Sequence, residues 1–167
     1  MKQVLILLIS FTVMVSQAQE MKTYTDEDSK TCLQYPSNWE YQANPVTSFI
    51  LIRPLEKEGQ IFRENINLII NDSQGLELKE YVGVVKIQLK SLLPNFKALS
   101  TEYIELGGKK YAQIIYQHDA QNLPLQVAYY ILLHKGKSYN LTCSTTRDNF
   151  ETYLPIFKKM VSSFTVE

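Results

Sequence analysis

Two cysteines and two histidines are the residues of this chain whose types could support chemistry. Cys32 and Cys143 are too far apart in sequence for a C-x-x-C redox pair. In an oxidising compartment they could form a disulfide that closes a loop of about 110 residues, worth ~4–5 kcal/mol in the chain-entropy model. Cys143 shares a strand face with Leu141, whereas Cys32 lies opposite Leu33 and Tyr35. Two separate buried thiols, or one reactive thiol, are therefore the alternatives to a disulfide.

His118 and His134 could act as acid–base groups or metal ligands, and Asp119 stands beside the first of them. No third ligand follows at a suitable spacing, and the chain contains no H-E-x-x-H or G-x-S-x-G motif. We interpret both histidines as strand-end residues in solvent, and we predict no catalytic residue, no metal site and no cofactor. A hydrolase that uses one of them is the third functional hypothesis.

The first eighteen residues have the pattern of a secretory signal peptide. Lys2 precedes an apolar run from Val4 to Val15, and Ser16-Gln17-Ala18 provides a small-residue cleavage site. The run is about twelve residues long, too short to span a bilayer, and no cysteine follows it to accept a lipid. The sequence therefore predicts a periplasmic or secreted protein with no transmembrane segment. The polar residues 19–29 are predicted to be a flexible segment, and 30–167 a single domain.

Charge and composition exclude several classes of protein. Removal of residues 1–18 takes one lysine with it, which leaves 16 basic and 17 acidic residues and a net charge of 16 − 17 = −1. A nearly neutral chain lacks the basic surface of a nucleic-acid-binding protein. A hydrophobic content of 45% with 11 tyrosines and 7 phenylalanines is typical of a folded domain rather than a disordered chain.

Apolar periodicity predicts strands and two helices. Leu78, Val82, Val85 and Leu89 form one stripe of a helix that ends before Pro94. Asp148 and Glu151 resemble a capping box that opens a second helix, which Pro155 should kink or restart. Strand patterns, punctuated by Gly107-Gly108 and Lys135-Gly136, fall at 30–35, 47–54, 64–72, 97–106, 109–118, 125–134 and 137–145. This is an α+β fold with a mostly antiparallel sheet of about six to seven strands flanked by two main helices.

The stretch TCLQYPSNW, residues 31–39, predicts a corner at the end of the first strand. Pro36-Ser37-Asn38 has the residue types of a tight turn, and Trp39 leaves that turn. Burial of Trp39 would remove 150–250 Å² from water, roughly 4–6 kcal/mol as an upper bound. We interpret Trp39 as a plug of the core, with an aromatic contact surface as the alternative.

These residues and the element order resemble the PsbP-like superfamily, whose exported bacterial members include the DcrB type. The resemblance covers about residues 31–165 and rests on a few anchors: Tyr35, Pro36, Trp39, Asn67, Gly108, Ser163 and Phe164. It implies an α/β/α sandwich around an antiparallel sheet. Members do different things, mostly without catalysis, so the resemblance implies a fold and not a specific function.

The leading hypothesis is therefore an exported, non-catalytic binding or accessory protein whose partner is another envelope protein. Its contact surface is predicted on a charged loop and a tyrosine pair: Leu55, Glu56, Lys57, Glu58, Gly59, Gln60, Tyr129 and Tyr130. The alternative is a small-molecule or lipid binder with a pocket between a helix and the sheet, lined by Tyr111, Tyr129 and Phe157. The sequence specifies neither the partner nor the oligomeric state.

Overall fold

Strands dominate the part of the chain that the structure, a computed structural model, describes, which is residues 20–167. The predicted signal peptide lies outside these residues. The strands are β1 (Met21–Asp26), β2 (Thr31–Pro36), β3 (Glu40–Gln42), β4 (Phe49–Ile52), β5 (Asn65–Asp72), β6 (Lys97–Leu106), β7 (Lys109–Ala120), β8 (Leu123–His134), β9 (Lys137–Thr146) and β10 (Thr165–Val166). The helices are α1 (Leu78–Leu92) and α2 (Phe150–Ser162), the second preceded by a 3-10 turn at Arg147–Asn149.

Seven strands form the main sheet in the order β3-β4-β5-β9-β8-β7-β6, and every neighbouring pair is antiparallel. The predicted meander from residue 97 onward is confirmed, because β6 to β9 follow one another across the sheet through tight turns. A second sheet, with the order β1-β2-β10, was not predicted from the sequence. The predicted α+β class with a six- to seven-stranded sheet and two helices is confirmed.

The two helices cover opposite faces of the main sheet. Side chains of β7 and β8 alternate between the faces, as a pleated strand requires. On one face, α1 packs Tyr81, Val82 and Val85 against β7 and β8. On the other face, α2 packs Phe157 and its neighbours together with the β1-β2-β10 sheet. The arrangement is the predicted sandwich, with the second small sheet added to the α2 layer.

Residues 21–26 form a strand, so the prediction of a flexible segment over 19–29 is wrong there. β1 pairs with β2 along its whole length. Asp26 Oδ1 accepts hydrogen bonds from the backbone N–H groups of Asp28 at 3.0 Å and Ser29 at 3.1 Å, which closes the turn between the two strands. The ring of Tyr24 stacks on Tyr41 with centroids 5.1 Å apart. Hairpin pairing and this aromatic contact order a segment whose polar composition suggested disorder.

Helix α2 differs from the prediction at its start and at Pro155. The N-cap residue is Asn149, and its side chain makes no cap hydrogen bond, so the predicted capping box of Asp148 and Glu151 is wrong. The helix also continues through Pro155 without restarting. Tertiary packing of Phe157, Met160 and Val161, all fully buried, holds the helix together across the missing hydrogen bond.

The β6–β7 turn sits against the last turn of α2. A Cβ atom on Gly107 would lie 1.9 Å from the carbonyl oxygen of Ser162, and Gly107 has a positive φ of 55°. Both features require glycine at this position. The Gly107-Gly108 turn thus does more than reverse the chain, because it allows the sheet to approach the end of the helix.

Candidate functional site

A concavity lies at one end of the main sheet. Its volume is about 660 Å³. Three segments form its walls: the loop that joins β4 to β5, the β7–β8 hairpin, and the first turn of α2. We call it the Arg53 cleft; it is lined by Arg53, Lys57, Gly59, Gln60, Ile61, Phe62, Glu64, Leu123, Pro124, Thr146, Arg147, Asp148, Asn149, Thr152 and Tyr153.

Glu64 is the buried charge at the base of the cleft, with 1% of its surface exposed. Its carboxylate accepts hydrogen bonds from Arg53 Nη1 at 2.8 Å, from Asn149 Nδ2 at 3.0 Å and from Thr145 Oγ1 at 3.4 Å. A buried carboxylate is tolerated when it is paired and its oxygens are satisfied. Glu64 therefore joins the end of β4, the end of β9 and the start of α2 into one rigid floor.

Arg53 is the cation of the floor, and it also reaches the loop above. Its guanidinium bonds Glu56 as well as Glu64, and it lies 5.5 Å from the ring centroid of Tyr153. The hydrogen bond to Glu56 is the main cause of the raised pKa of Arg53, and the same bond lowers the pKa of Glu56. Burial raises the pKa of the Tyr153 phenol. Within the cleft, Arg53 therefore lies between the carboxylates of Glu56 and Glu64 and beside the aromatic ring of Tyr153.

The β4–β5 loop is held in shape by its own polar groups. The Gln60 side chain accepts a hydrogen bond from the Glu56 N–H at 3.0 Å and donates one to the carbonyl of Phe62 at 2.8 Å. Ile61 lies between these bonds and has 78% of its surface exposed. Leu55 is also largely exposed. The loop therefore presents apolar side chains to solvent on a constrained backbone.

The opposite wall of the cleft is fixed through Asp119, near the end of β7. Its carboxylate accepts hydrogen bonds from Arg147 at 2.8 Å and from the Asn95 side chain at 2.7 Å. The Asp119 N–H donates to the carbonyl of Pro94 at 3.0 Å. Arg147 is thereby held at the edge of the cleft with its charge already paired. The cleft has a defined shape and mixed charge, but within residues 20–167 no three His, Cys, Asp or Glu side chains gather as a metal site requires.

The predicted contact surface divides into a part that lines the cleft and a part that does not. Lys57, Gly59 and Gln60 line it, Glu56 bonds its cation, and Leu55 and Glu58 are exposed on the same loop. Tyr130 is fully buried and accepts a hydrogen bond from Gln113 at 2.8 Å, so its assignment to a contact surface is wrong. Tyr129 is partly exposed but packs on the α1 face, away from α2.

The pocket predicted between a helix and the sheet is also wrong in its lining. Tyr111 and Phe157 have no exposed surface and pack in the cluster beneath α2. Tyr129 packs with the cluster beneath α1, on the opposite face of the sheet. Residues on opposite faces of one sheet cannot line a common pocket. The three side chains contribute to packing instead.

Both cysteines are free thiols, so the predicted disulfide is not formed. Cys143 is on β9 of the main sheet, fully buried beneath α2, and burial raises the pKa of its thiol. Cys32 is on β2 of the small sheet, on the face turned away from Leu33 and the core. The difference in strand face that the sequence indicated is thus present, and it separates the two thiols.

The two histidines do not form a pair. His118 pairs with Leu125 near the start of β8, whereas His134 is the last residue of that strand. Nine residues at about 3.3 Å each place them roughly 30 Å apart. Both are partly buried rather than in solvent, and His118 Nδ1 and His134 Nε2 are buried without a hydrogen-bond partner among the described residues. Burial lowers the pKa of His118.

The aromatic corner of the sequence lies in the core. Trp39 is 2% exposed, and its ring meets Phe157 edge-on with centroids 6.2 Å apart. Tyr35, Pro36 and Phe164 are also buried. Pro36 ends β2, and its carbonyl accepts a hydrogen bond from the Trp39 N–H at 2.9 Å. The corner closes the α2 layer and takes no part in the cleft.

Comparison with known families agrees with this fold. The PsbP family model matches residues 19–166, which is nearly the whole described chain. The chain belongs to the PsbP family. The predicted resemblance to PsbP-like proteins is thereby confirmed. A search among curated proteins finds no match.

Several solved structures share the PsbP fold at low sequence identity. Cyanobacterial PsbP (CyanoP) from Synechocystis sp. PCC 6803 is 18% identical, with a TM-score of 0.65 over 94% of this chain and 98% of that one. LpqN of Mycobacterium tuberculosis, involved in cell envelope biogenesis, is 14% identical, with a TM-score of 0.65 over 88% and 90%. The Ran-binding protein Mog1p of Saccharomyces cerevisiae is 10% identical, with a TM-score of 0.62 over 89% and 96%. At these identities the likeness concerns the fold alone.

Most of the cleft was not identified from the sequence of this PsbP-family chain. Loop residues were found because charge and glycine mark an exposed connection. Arg53, Glu64, Asn149 and Tyr153 were missed because they come from separate segments that meet through strand pairing. The sequence did contain one indication of the cleft: Glu64 is a charged residue directly before the alternating strand β5.

Neither helix of the described residues has the length and the apolar character that a membrane-spanning helix needs.

Proposed function

We propose that this PsbP-family chain is an exported, non-catalytic accessory protein that binds a segment of another envelope protein in the Arg53 cleft. The observation that carries the proposal is an exposed isoleucine on a constrained loop above a paired, buried charge. Ile61 is 78% exposed, while Gln60 beside it bonds the loop backbone on both sides. Rigid scaffolds that present apolar side chains on loops are typical of protein-binding sites.

The chemistry of the cleft favours binding over catalysis. Arg53 forms an ion pair with Glu64, and Arg147 forms one with Asp119. Neither histidine lines the cleft. A polar floor with apolar residues at the rim suits an extended peptide segment, whose backbone needs hydrogen bonds and whose side chains need apolar contacts. Two proteins that share the fold have roles compatible with binding: LpqN is involved in cell envelope biogenesis, and Mog1p is a Ran-binding protein.

Site-specific photo-crosslinking in the native envelope tests the proposal. A benzophenone side chain replaces Ile61 in one variant and Val46 in another. Val46 is similarly exposed, at 76%, but it lies before β4 and does not line the cleft, whose loop comes after that strand. We expect one defined protein adduct from position 61 and none from position 46. Excess unlabelled wild-type protein should suppress the adduct, and an Ile61→Asp protein should not.

Absence of an adduct at position 61, or equal adducts at both positions, would rule out the cleft as a protein-binding site. Because Ile61 contributes little to the core, the variants should fold normally, and equal thermal midpoints verify this.

A further inference from the structure

A second surface lies on the other side of the main sheet, between α1 and the first residues of β6. A groove of about 380 Å³ runs there, lined by Lys86, Ile87, Lys90, Phe96 and Ala98, and we call it the α1–β6 groove. Phe96 forms its floor, with its ring 5.3 Å from that of Tyr116 beneath. Ile87 forms one wall and is 72% exposed. β6 is the outermost strand of the main sheet, so within the described chain no further strand of that sheet lies beyond this edge of the groove.

The charge of this surface differs from that of the rest of the chain. The whole sequence has equal numbers of acidic and basic residues. Residues 81–101, however, contain three lysines and no aspartate or glutamate. Lys86 and Lys90 line the groove, and Lys97 is exposed between the groove residues Phe96 and Ala98. The charged residues that line the groove are therefore both lysines, and its other lining residues are apolar.

This combination fits a phospholipid surface better than a protein. Lysine is depleted at the cores of protein–protein interfaces. Apolar side chains flanked by lysines are typical of helices that lie in the headgroup region of a membrane, where the lysines meet phosphates and the apolar residues enter the acyl layer. We propose that the α1–β6 groove docks this protein on the surface of an anionic phospholipid bilayer.

The inference is independent of the proposed function, because α1 and α2 lie on opposite faces of the sheet. Docking through α1 would leave the Arg53 cleft, beside the start of α2, turned away from the lipid. Loss of vesicle binding would therefore leave the adduct at position 61 intact, and loss of that adduct would leave vesicle binding intact.

Vesicle sedimentation provides the test, with a chain that begins at residue 19, where the family match starts. Both clusters of buried side chains lie within the described residues of that chain. We expect binding to vesicles of phosphatidylcholine mixed with phosphatidylglycerol and none to phosphatidylcholine alone. Each lysine near an anionic surface contributes about a fivefold gain in affinity, so a Lys86→Gln, Lys90→Gln, Lys97→Gln variant should bind about 100-fold more weakly. Ile87→Ser should bind about tenfold more weakly.

Matched variants separate the groove from general charge. A Lys137→Gln, Lys158→Gln, Lys159→Gln protein carries the same charge change at exposed sites elsewhere, and Val46→Ser removes a similarly exposed apolar side chain. Both should bind nearly as well as the wild type. The proposal is overturned if the wild type ignores phosphatidylglycerol or if the control variants lose as much binding. It is also overturned if a photo-crosslinker at position 87 captures a protein rather than lipid.

Discussion

Glu64 joins parts of the chain that are distant in sequence. Its carboxylate bonds Thr145 and Asn149, which are 81 and 85 residues away, as well as Arg53. From the sequence, Glu64 is only the first residue of the predicted strand 64–72, because strand pairing alone brings its partners to it. Side chains whose role depends on such pairing are the part of the site that a single sequence does not disclose.

We predict that Glu64→Ala lowers the free energy of unfolding by about 3 kcal/mol. Removal of one partner of a buried ion pair costs about 3–5 kcal/mol, and the lower end applies because Arg53 is partly exposed and keeps Glu56. Urea unfolding followed by Trp39 fluorescence measures the change. Glu64→Gln keeps an acceptor for Asn149 and should lose less. A loss below about 1 kcal/mol for the alanine variant would mean that this pair does not hold the cleft together.

His118 should make stability depend on pH. Burial lowers its pKa in the folded protein below the usual value of 6.5, so the unfolded chain binds more protons in the window just below that value. Its contribution is fully present above pH 6.5 and is lost as pH falls through the folded pKa. The stability of the wild type should therefore fall on acidification. His118→Asn should show a shallower dependence in a series of urea unfolding curves, and an unchanged slope would contradict the prediction.

At the scale of elements, strands marked by apolar alternation or by flanking glycine turns were predicted from the sequence, and strands without these local patterns were missed. The hairpins at Gly107-Gly108 and Lys135-Gly136 were identified because glycine permits the positive φ that tight turns need. β1 was missed because its polar residues resemble a flexible lead-in, and its order depends on β2 and on the Tyr24–Tyr41 stack. Local signals predicted local structure, and contacts between elements supplied the rest.

Pro155 tests how far packing overrides propensity in α2. Pro155→Ala restores a backbone donor to the helix and should raise the free energy of unfolding by about 2 kcal/mol. The gain is below the full propensity difference because proline also restricts the unfolded chain. Pro94→Ala is the matched control, since Pro94 lies beyond α1 and has no helical bond to restore. Equal effects of the two substitutions, by chemical denaturation, would show that α2 gains nothing from the restored bond.

At the scale of the whole molecule, family and fold class followed from element order, while the cleft and the groove needed the structure. The sandwich places α1 with its lysines on one side and the start of α2 on the other. Each surface combines residues from at least two segments, such as Ile87 with Phe96 or Arg53 with Tyr153. Apolar periodicity identifies which face of an element is buried, but it does not identify which exposed residues become neighbours.

Asp119 bridges the two layers. One oxygen holds Asn95 at the start of the α1–β6 groove, and the other holds Arg147 at the rim of the Arg53 cleft. Asn95 belongs to the turn that follows α1, and Arg147 to the 3-10 turn that precedes α2. This single carboxylate therefore fastens the connections of both helices to the same end of the sheet, so that the two layers are held in place together although the helices themselves lie on opposite faces.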